Sequence, residues 1–261
     1  MSRSSYYYKP KSKPSERWLT GRIERIALSH PRYGYRRVTA QLHRDGIEVN
    51  HKRVLRIMRE NGLTCKARRR FVRTTDSDHG LSVYPNLLRE TPVTGPNQVW
   101  VADITYVRLP VGFCYLAVLL DLYSRLVVGY AMSRRINAEL CLAALWVAIE
   151  RRGDVAGCVH HSDRGVQYAS GDYTGALKDA GMRISMSRKG NPYDNASAES
   201  FMATYKLEEV YVNEYQDFED ALDSTAHFIE VVYNRKRLHS ALGYLPPVEY
   251  EQLRPQTQCL R

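Results

Sequence analysis

Three acidic residues have the type and the setting that metal-dependent phosphodiester chemistry uses. Asp103 lies within the apolar run Trp100-Val-Ala-Asp-Ile-Thr-Tyr106, Asp163 follows a second apolar run, and Glu199 comes 35 intervening residues after Asp163. A carboxylate beside an apolar core is costly unless something compensates its charge. No basic partner for Asp103 is evident in the sequence, and a divalent cation would supply that compensation.

Carboxylate oxygens are ligands that suit Mg²⁺, which also binds substrate phosphates. Two such ions about 3.5–4 Å apart can activate a water or a 3′ hydroxyl and stabilise the leaving oxygen. We therefore expect Asp103, Asp163 and Glu199 to be catalytic and to hold two Mg²⁺ ions, with Mn²⁺ as a substitute. Each acid alone also has a structural explanation, since a single Asp in a strand is more often structural. Their joint placement favours the metal site.

The elements that would position these acids begin at Gln98. Alternating and apolar runs predict five strands, and periodic apolar residues predict helices between and after them. The strands are expected at 99–109, 113–122, 126–132, 155–161 and 182–185, and the helices at 137–151, 170–181, from 195, and 218–234. This order predicts an α/β core over 98–250, a mixed five-stranded sheet with flanking helices.

The charge is divided unevenly along the chain. Residues 1–75 hold 20 Lys and Arg against 5 Asp and Glu, whereas residues 76–261 hold 18 against 23. Such asymmetry indicates a basic module that binds a polyanion. We expect a disordered basic arm at 1–14, a helical DNA-binding domain at 15–63, a mobile basic linker at 64–97 and a tail at 251–261.

Three short helices in the basic part, the last of them rich in arginine, match a helix-turn-helix. An ordinary three-helix bundle with a basic face is the alternative. The residues expected to contact DNA are Arg36, Arg37, Lys52, Arg53 and Arg56 in this domain, and Arg164, Lys206, Arg235 and Arg237 in the core.

Other polar residues near the acids have predicted supporting roles. His161 and Gln167 flank Asp163 and are candidates for positioning the scissile strand. Asn191 and Asn195 are expected to fix the loop and cap the helix that presents Glu199. Asp121 is expected to pair with Arg125 rather than to be a fourth metal ligand.

Composition excludes several other classes of protein. No run reaches the roughly 18 apolar residues that a membrane helix needs, and the first residues do not form a secretory signal. The five cysteines are scattered without a C-x-x-C pair, so neither structural zinc nor a disulfide framework is expected. A bacterial cytoplasmic location, at the nucleoid when bound to DNA, is the expectation.

Five motifs carry a resemblance to a known family. They are His30-Pro-Arg-Tyr-Gly-Tyr-Arg-Arg37, Trp100-Val-Ala-Asp-Ile-Thr-Tyr106, Asp121-Leu-Tyr-Ser-Arg125, His161-Ser-Asp-Arg-Gly-Val-Gln-Tyr168 and Asn191-Pro-Tyr-Asp-Asn-Ala-Ser-Ala-Glu-Ser-Phe201. The stretch 98–250 resembles the integrase-type D-D-E core with a ribonuclease H-like fold. Nearly the full chain resembles the second-frame (OrfB-type) transposase subunit of bacterial insertion sequences with two reading frames.

The resemblance implies that Asp103, Asp163 and Glu199 are a metal-binding triad that cleaves and joins DNA at element ends. It also implies target DNA as a second substrate, a homo-oligomer on DNA, and a first-frame partner or fusion. The His-His-Cys-Cys zinc site of retroviral integrases is missing from this chain. The alternatives are a simple nuclease of the same fold, and a non-catalytic DNA-binding regulator or inactive transposase relic.

Overall fold

The computed structural model describes residues 15–65, 83–88, 90–188 and 195–253. The chain divides into two compact units, residues 1–69 and 70–261. The predicted arm at 1–14, most of the first half of the predicted linker, and the loop residue Asn191 lie outside the described residues.

The first unit contains three helices, α1 (Glu16–Ser29), α2 (Tyr35–Arg44) and α3 (His51–Glu60). Ser15 caps α1 by accepting the Trp18 N–H, and Asn50 caps α3 by accepting the Lys52 N–H at 2.8 Å, which satisfies backbone donors that have no partner within the helix. The apolar face of each helix is buried against the others, through Leu19, Ile23, Val38, Leu42, Val54 and Met58. The predicted helical domain is therefore present.

The second unit is built on one five-stranded sheet. Its strands are β1 (Val99–Arg108), β2 (Phe113–Asp121), β3 (Val127–Ser133), β4 (Val159–Ser162) and β5 (Arg183–Met186), in the spatial order β3-β2-β1-β4-β5. The first three strands form an antiparallel meander, while β4 runs parallel to both β1 and β5. The mixed sheet predicted from the sequence is confirmed.

Helices cover both faces of this sheet. They are α4 (Ala138–Arg152), α5 (Val166–Ala169), α6 (Gly171–Asp179), α7 (Ala196–Tyr205), α8 (Phe218–His227) and α9 (Pro247–Leu253). A π-helical segment continues α7 over Lys206–Val210, and another continues α8 over Phe228–Lys236. One apolar cluster includes α4 and α6, and the other includes α7 and α8.

Two predicted boundaries differ from the structure. Strand β4 begins at Val159 rather than 155, because Gly157 adopts a positive φ of 80° and turns the chain just before it. The tail expected from 251 begins inside α9, where Glu251 forms a two-point ion pair with Arg152 at 2.8 and 3.1 Å. A helix that pairs with the core in this way belongs to the core.

The end of the predicted linker packs on the sheet. Tyr84 contacts the cluster on one face, and Leu87, Leu88 and Val93 contact the cluster on the other. The Leu87 N–H also donates to Ser185 Oγ on β5 at 2.9 Å. Residues 83–88 thus pack along the β5 side of the core. Among the described residues, no helix is long and apolar enough to cross a membrane.

Candidate active site

The sheet register brings Asp103 and Asp163 to the same place. Strands β1 and β4 are parallel, and their pairing ends with Val101 opposite His161. Asp103 lies two residues after Val101, and Asp163 lies two residues after His161, just past the carboxyl end of β4. Because the two chains run in the same direction, the two carboxylates become neighbours.

Asp103 is half-buried on β1, opposite Val118 of β2. Its Oδ1 accepts the Ile104 N–H at 2.9 Å. Burial, followed by the negative charge of Asp163, raises the pKa of Asp103 to about 7, and Glu199 adds to the rise. Negative charge is therefore electrostatically unfavourable here until a cation is near.

Asp163 lies in the turn between β4 and α5. Its Oδ1 accepts the Gly165 N–H at 2.9 Å. A Cβ on residue 165 would lie 3.0 Å from that Oδ1 and 3.1 Å from Gln167 Oε1. Gly165 has an ordinary φ of −63°, so a side chain here would crowd the carboxylate without straining the backbone.

Glu199 comes to the site on the first turn of α7. Asn195, the residue before this helix, donates from Nδ2 to the Ala102 carbonyl at 3.1 Å, next to Asp103. The side chain of Glu199 is exposed, and partial burial together with the charge of Asp163 raises its pKa. Asn195 does not cap α7 through its side chain, so the predicted capping role is wrong and the residue instead ties α7 to β1.

Lys206 is a cation that acts on this acidic group. Its Nζ lies 4.1 Å from the centre of the Tyr106 ring, and it interacts electrostatically with Asp103. Partial burial lowers its pKa, while Asp103 opposes that shift. An ammonium over an aromatic face beside a carboxylate is well placed to receive a phosphate.

The donor set fits a hard divalent cation. All three residues offer carboxylate oxygens, their charges disfavour one another, and the environment of Asp103 raises the cost of its ionised form. In the described part of the chain, no group of three or more Asp, Glu, His or Cys side chains is close enough together to hold a metal ion. The three acids are therefore electrostatic neighbours whose chemistry suits Mg²⁺.

Several predicted DNA contacts have other partners. Arg237, predicted as a DNA contact, is buried and binds both oxygens of Glu208 at 2.9 Å. Arg56 binds Glu16 through two bonds of 2.8 and 3.1 Å and also binds Glu60, which joins α1 to α3. Arg53 Nη2 lies 4.0 Å from the same Glu16.

Arg164 and His161 also have structural contacts. Arg164 Nε donates to the Ser187 carbonyl at 2.8 Å. His161 is fully buried between two hydroxyls, Ser185 Oγ at 2.8 Å and Ser187 Oγ at 3.0 Å, so the prediction that it positions the scissile strand directly is wrong. Together these bonds hold the Asp163 turn against the chain that leads towards Glu199.

The predicted ion pair of Asp121 with Arg125 is also wrong. Asp121 is fully buried and accepts the backbone N–H groups of Asn97, Tyr123 and Ser124 at 2.7–3.1 Å. Its nearest cation is Arg152, whose Nη2 is 4.0 Å away. Asp121 fixes the turn after β2 rather than contributing to the acidic site.

The remaining predicted contacts are at the surface. Arg36, Lys52 and Arg235 are exposed. Arg36 and Arg37 lie over the rings of Tyr35 and Tyr33, at 5.7 and 5.6 Å from the ring centres. Aromatic support of this kind limits the motion of a guanidinium without neutralising it.

The support around His161 is a feature that was not predicted from the sequence. Ser185 and Ser187 alternate on one side of β5 and its extension, and this period-two spacing is the signal that would have suggested a shared contact. A second such feature is the buried aromatic cluster beneath Asp163, where Tyr173 and His160 form a 2.8 Å hydrogen bond and Tyr168 packs against both rings.

Comparison with known proteins decides the family. Residues 93–192 and 180–247 match models described as integrase core domains, and residues 14–71 match an HTH-like domain. The "Insertion element IS600 uncharacterized 31 kDa protein" of Shigella sonnei is 42% identical over 260 residues, 97% of this chain and 95% of that protein. "Transposase InsF for insertion sequence IS3A" of Escherichia coli K12 is 42% identical over 224 residues, 85% of this chain and 78% of that protein.

The chain belongs to the IS3 family of insertion-sequence transposases. Within this transposase, Asp103 and Asp163 fall in the first integrase-core match and Glu199 in the second. Among solved structures, a chain of the simian T-cell lymphotropic virus intasome in complex with a PP2A regulatory subunit aligns with a TM-score of 0.51 at 17% identity. The alignment covers 92% of this chain and 76% of that one. The likeness shows a shared integrase-type, ribonuclease H-like fold.

Proposed function

We propose that this transposase catalyses Mg²⁺-dependent cleavage at the ends of its insertion sequence and transfer of the cleaved strand into target DNA. The observation that carries the proposal is the convergence of Asp103, Asp163 and Glu199, from a strand, a strand end and a helix, on one site where each affects the charge of another. Membership of a transposase family supplies the biological context.

The two proposed steps differ only in the nucleophile. In the first, a water oxygen attacks an end phosphorus, the P–O3′ bond breaks, and the element strand leaves with a 3′ hydroxyl. In the second, that hydroxyl attacks a target phosphodiester, and the P–O3′ bond broken there releases a target 3′ hydroxyl. One site serves both steps because the bond formed and the bond broken are of the same kind.

The protein residues supply charge and position. Asp103, Asp163 and Glu199 would hold the divalent ions, and Asn195 keeps the helix of Glu199 against β1. When bound, the ions supply Lewis-acid stabilisation of the attacking and leaving oxygens. Lys206, supported on the Tyr106 ring, is placed to pair with a phosphate oxygen next to the reacting one.

DNA binding by the helical unit and assembly on DNA complete the proposal. We propose that the surface of α2 and α3, with Arg36, Arg37 and Lys52, binds the element end. Two ends must be joined, so at least two copies of the chain are expected on the DNA. The first-frame product of the element is the expected partner or fusion segment.

Purified chain with labelled element ends and Mg²⁺ tests the activity. Joined products support strand transfer, nicks without joining indicate a simple nuclease, and binding without either indicates a regulator. Asp103→Asn should abolish both products, while Asp172→Asn, an exposed acid in the first turn of α6, should retain them. Parallel reactions with the first-frame product determine whether it is required.

A further inference from the structure

The core carries a surface strip of which only Tyr106, the ring that supports Lys206, has a role above. It consists of Tyr106, Arg108, Val111 and Phe113 on the β1–β2 hairpin and of Arg135 after β3, and we call it the hairpin strip. Phe113 is 50% exposed and Val111 is 86% exposed. Arg108 and Arg135 are exposed, and neither forms an ion pair among the residues that the structure describes.

The sheet register makes the strip continuous. Arg108 lies opposite Phe113, and Tyr106 lies opposite Tyr115, so these side chains share a face. Tyr115 in turn pairs with Ser133, two residues before Arg135. The Tyr106 and Phe113 rings meet edge to face, with centres 5.6 Å apart.

The strip follows the acidic site along β1. Tyr106 comes three residues after Asp103 and Arg108 five, so both side chains lie on the other face of β1 from Asp103 and roughly 10–17 Å beyond it along the extended strand. Lys206 connects the two, because its ammonium lies over the Tyr106 ring and also interacts with Asp103. A length of about 17 Å corresponds to about five base-pair steps at 3.4 Å each.

We propose that the hairpin strip binds the target DNA duplex. The inference rests on the proposed function, which requires two DNA segments at one site. The element end has a dedicated basic helical unit, whereas the target must be held by other means. Residues 76–261 are net acidic, so Arg108 and Arg135, exposed and without an ion pair among the described residues, are suited to attract a polyanion.

The chemistry of the strip fits DNA of unspecified sequence. Arginines that contact phosphates provide affinity without sequence information. Exposed apolar and aromatic side chains can press against sugars or a distorted base step regardless of base identity. A target site that varies between insertions calls for contacts of this type.

Target capture by the full chain bound to pre-cut element ends tests the proposal. The probe is a fluorescent duplex that lacks element sequence, titrated at several salt concentrations. For Arg108→Ala combined with Arg135→Ala, we expect the dissociation constant to rise at least 10-fold and the log–log salt slope to fall by about 1–2. Phe113→Ala should weaken capture with little change in the salt slope.

Arg183→Ala is the matched control, since Arg183 is exposed at the start of β5, at the opposite end of the parallel strands. Capture by the double variant equal to that of Arg183→Ala would overturn the proposal. Cleavage of element ends is measured in the same preparations and should be unchanged. If the wild-type protein does not cleave element ends, the proposed function is contradicted. Normal cleavage together with normal target capture by the double variant contradicts only the proposed role of the hairpin strip.

Discussion

The side-chain amide of Asn195 donates a 3.1 Å hydrogen bond to the carbonyl oxygen of Ala102. Asn195, the residue before the helix of Glu199, is thereby bonded to Ala102, the residue before Asp103. Two acids 96 positions apart in the sequence, Asp103 and Glu199, are thus related through one contact between a helix end and a strand. The contact therefore helps to fix the position of Glu199.

Asn195→Ala should reduce end cleavage at least 10-fold while costing only about 1 kcal/mol of folding free energy, the usual net value of one hydrogen bond. Single-turnover cleavage and urea unfolding measure the two effects. Asn213→Ala is the control, because it removes a 2.7 Å amide bond to Glu209 away from the acids. Equal cleavage rates in the two variants would show that the Asn195 contact does not position Glu199.

Gly165→Ala should impair cleavage without unfolding the protein. The new methyl group would lie 3.0 Å from Asp163 Oδ1, so the carboxylate must move by a few tenths of an ångström. We expect at least a 10-fold loss of rate and a raised Mg²⁺ requirement, measured by titrating Mg²⁺ in the cleavage assay. Gly171→Ala, where nothing lies within 4 Å of the added methyl, should behave as wild type, and similar defects in both variants would contradict the steric argument.

The buried imidazole of His160 should make the core sensitive to acid. Burial, with a smaller contribution from His161, lowers the pKa of His160 to about 3 from 6.5. The unfolded chain binds the proton near pH 6.5, so the stabilisation is complete above that pH and is lost as the pH falls towards 3. The loss approaches about 1.4 kcal/mol per pH unit.

Urea unfolding at pH 7.5 and pH 5.5 measures this effect. His160→Gln should show a weaker dependence of unfolding free energy on pH than wild type, even though its absolute stability is lower. His227→Gln, at an exposed position at the end of α8, should keep the wild-type dependence. An unchanged pH dependence in His160→Gln would assign the acid sensitivity to other groups.

Gly129→Ala should destabilise the core by about 1–3 kcal/mol or more, the usual range for overpacking. A Cβ at this position on β3 would lie 2.3 Å from the Ala144 carbonyl oxygen and 2.6 Å from Ala148 Cβ, so α4 would have to move. Gly175→Ala places a methyl in open space within α6 and should stabilise by about 0.5–1 kcal/mol. Unfolding free energies of the two variants should therefore change in opposite directions.

Much of the fold could be predicted from local patterns. Alternation and turn spacing gave the meander from β1 to β3, and the parallel register of β4 then brings Asp103 beside Asp163. The roles of several charged residues could not be predicted in this way. Arg56 pairs with Glu16, 40 residues away, and Arg237 with Glu208, 29 residues away. A basic residue in a helix has the same local pattern whether it faces DNA or a distant carboxylate.

Glu208 and Glu209, two acids that follow Glu199 in the chain, are further residues whose roles the local sequence pattern does not show. Glu208 binds Arg237, and Glu209 accepts hydrogen bonds from Asn213, Tyr215 and Ser224. Both are therefore used within the core. The spacing from Asp163 predicts Glu199 as the third acid, and the partners of Glu208 and Glu209 within the core are an independent physical reason for that assignment.

Strand transfer by Glu199→Gln with pre-cut element ends tests the central claim most directly. These ends already carry the 3′ hydroxyl, so the assay isolates joining from cleavage. The account predicts normal DNA binding, no cleavage of intact ends and no joining of pre-cut ends, while Glu150→Gln, an exposed helix acid on α4, keeps all three activities. Joining by Glu199→Gln at the wild-type rate would remove Glu199 from the site and contradict the proposal that one carboxylate triad performs both steps.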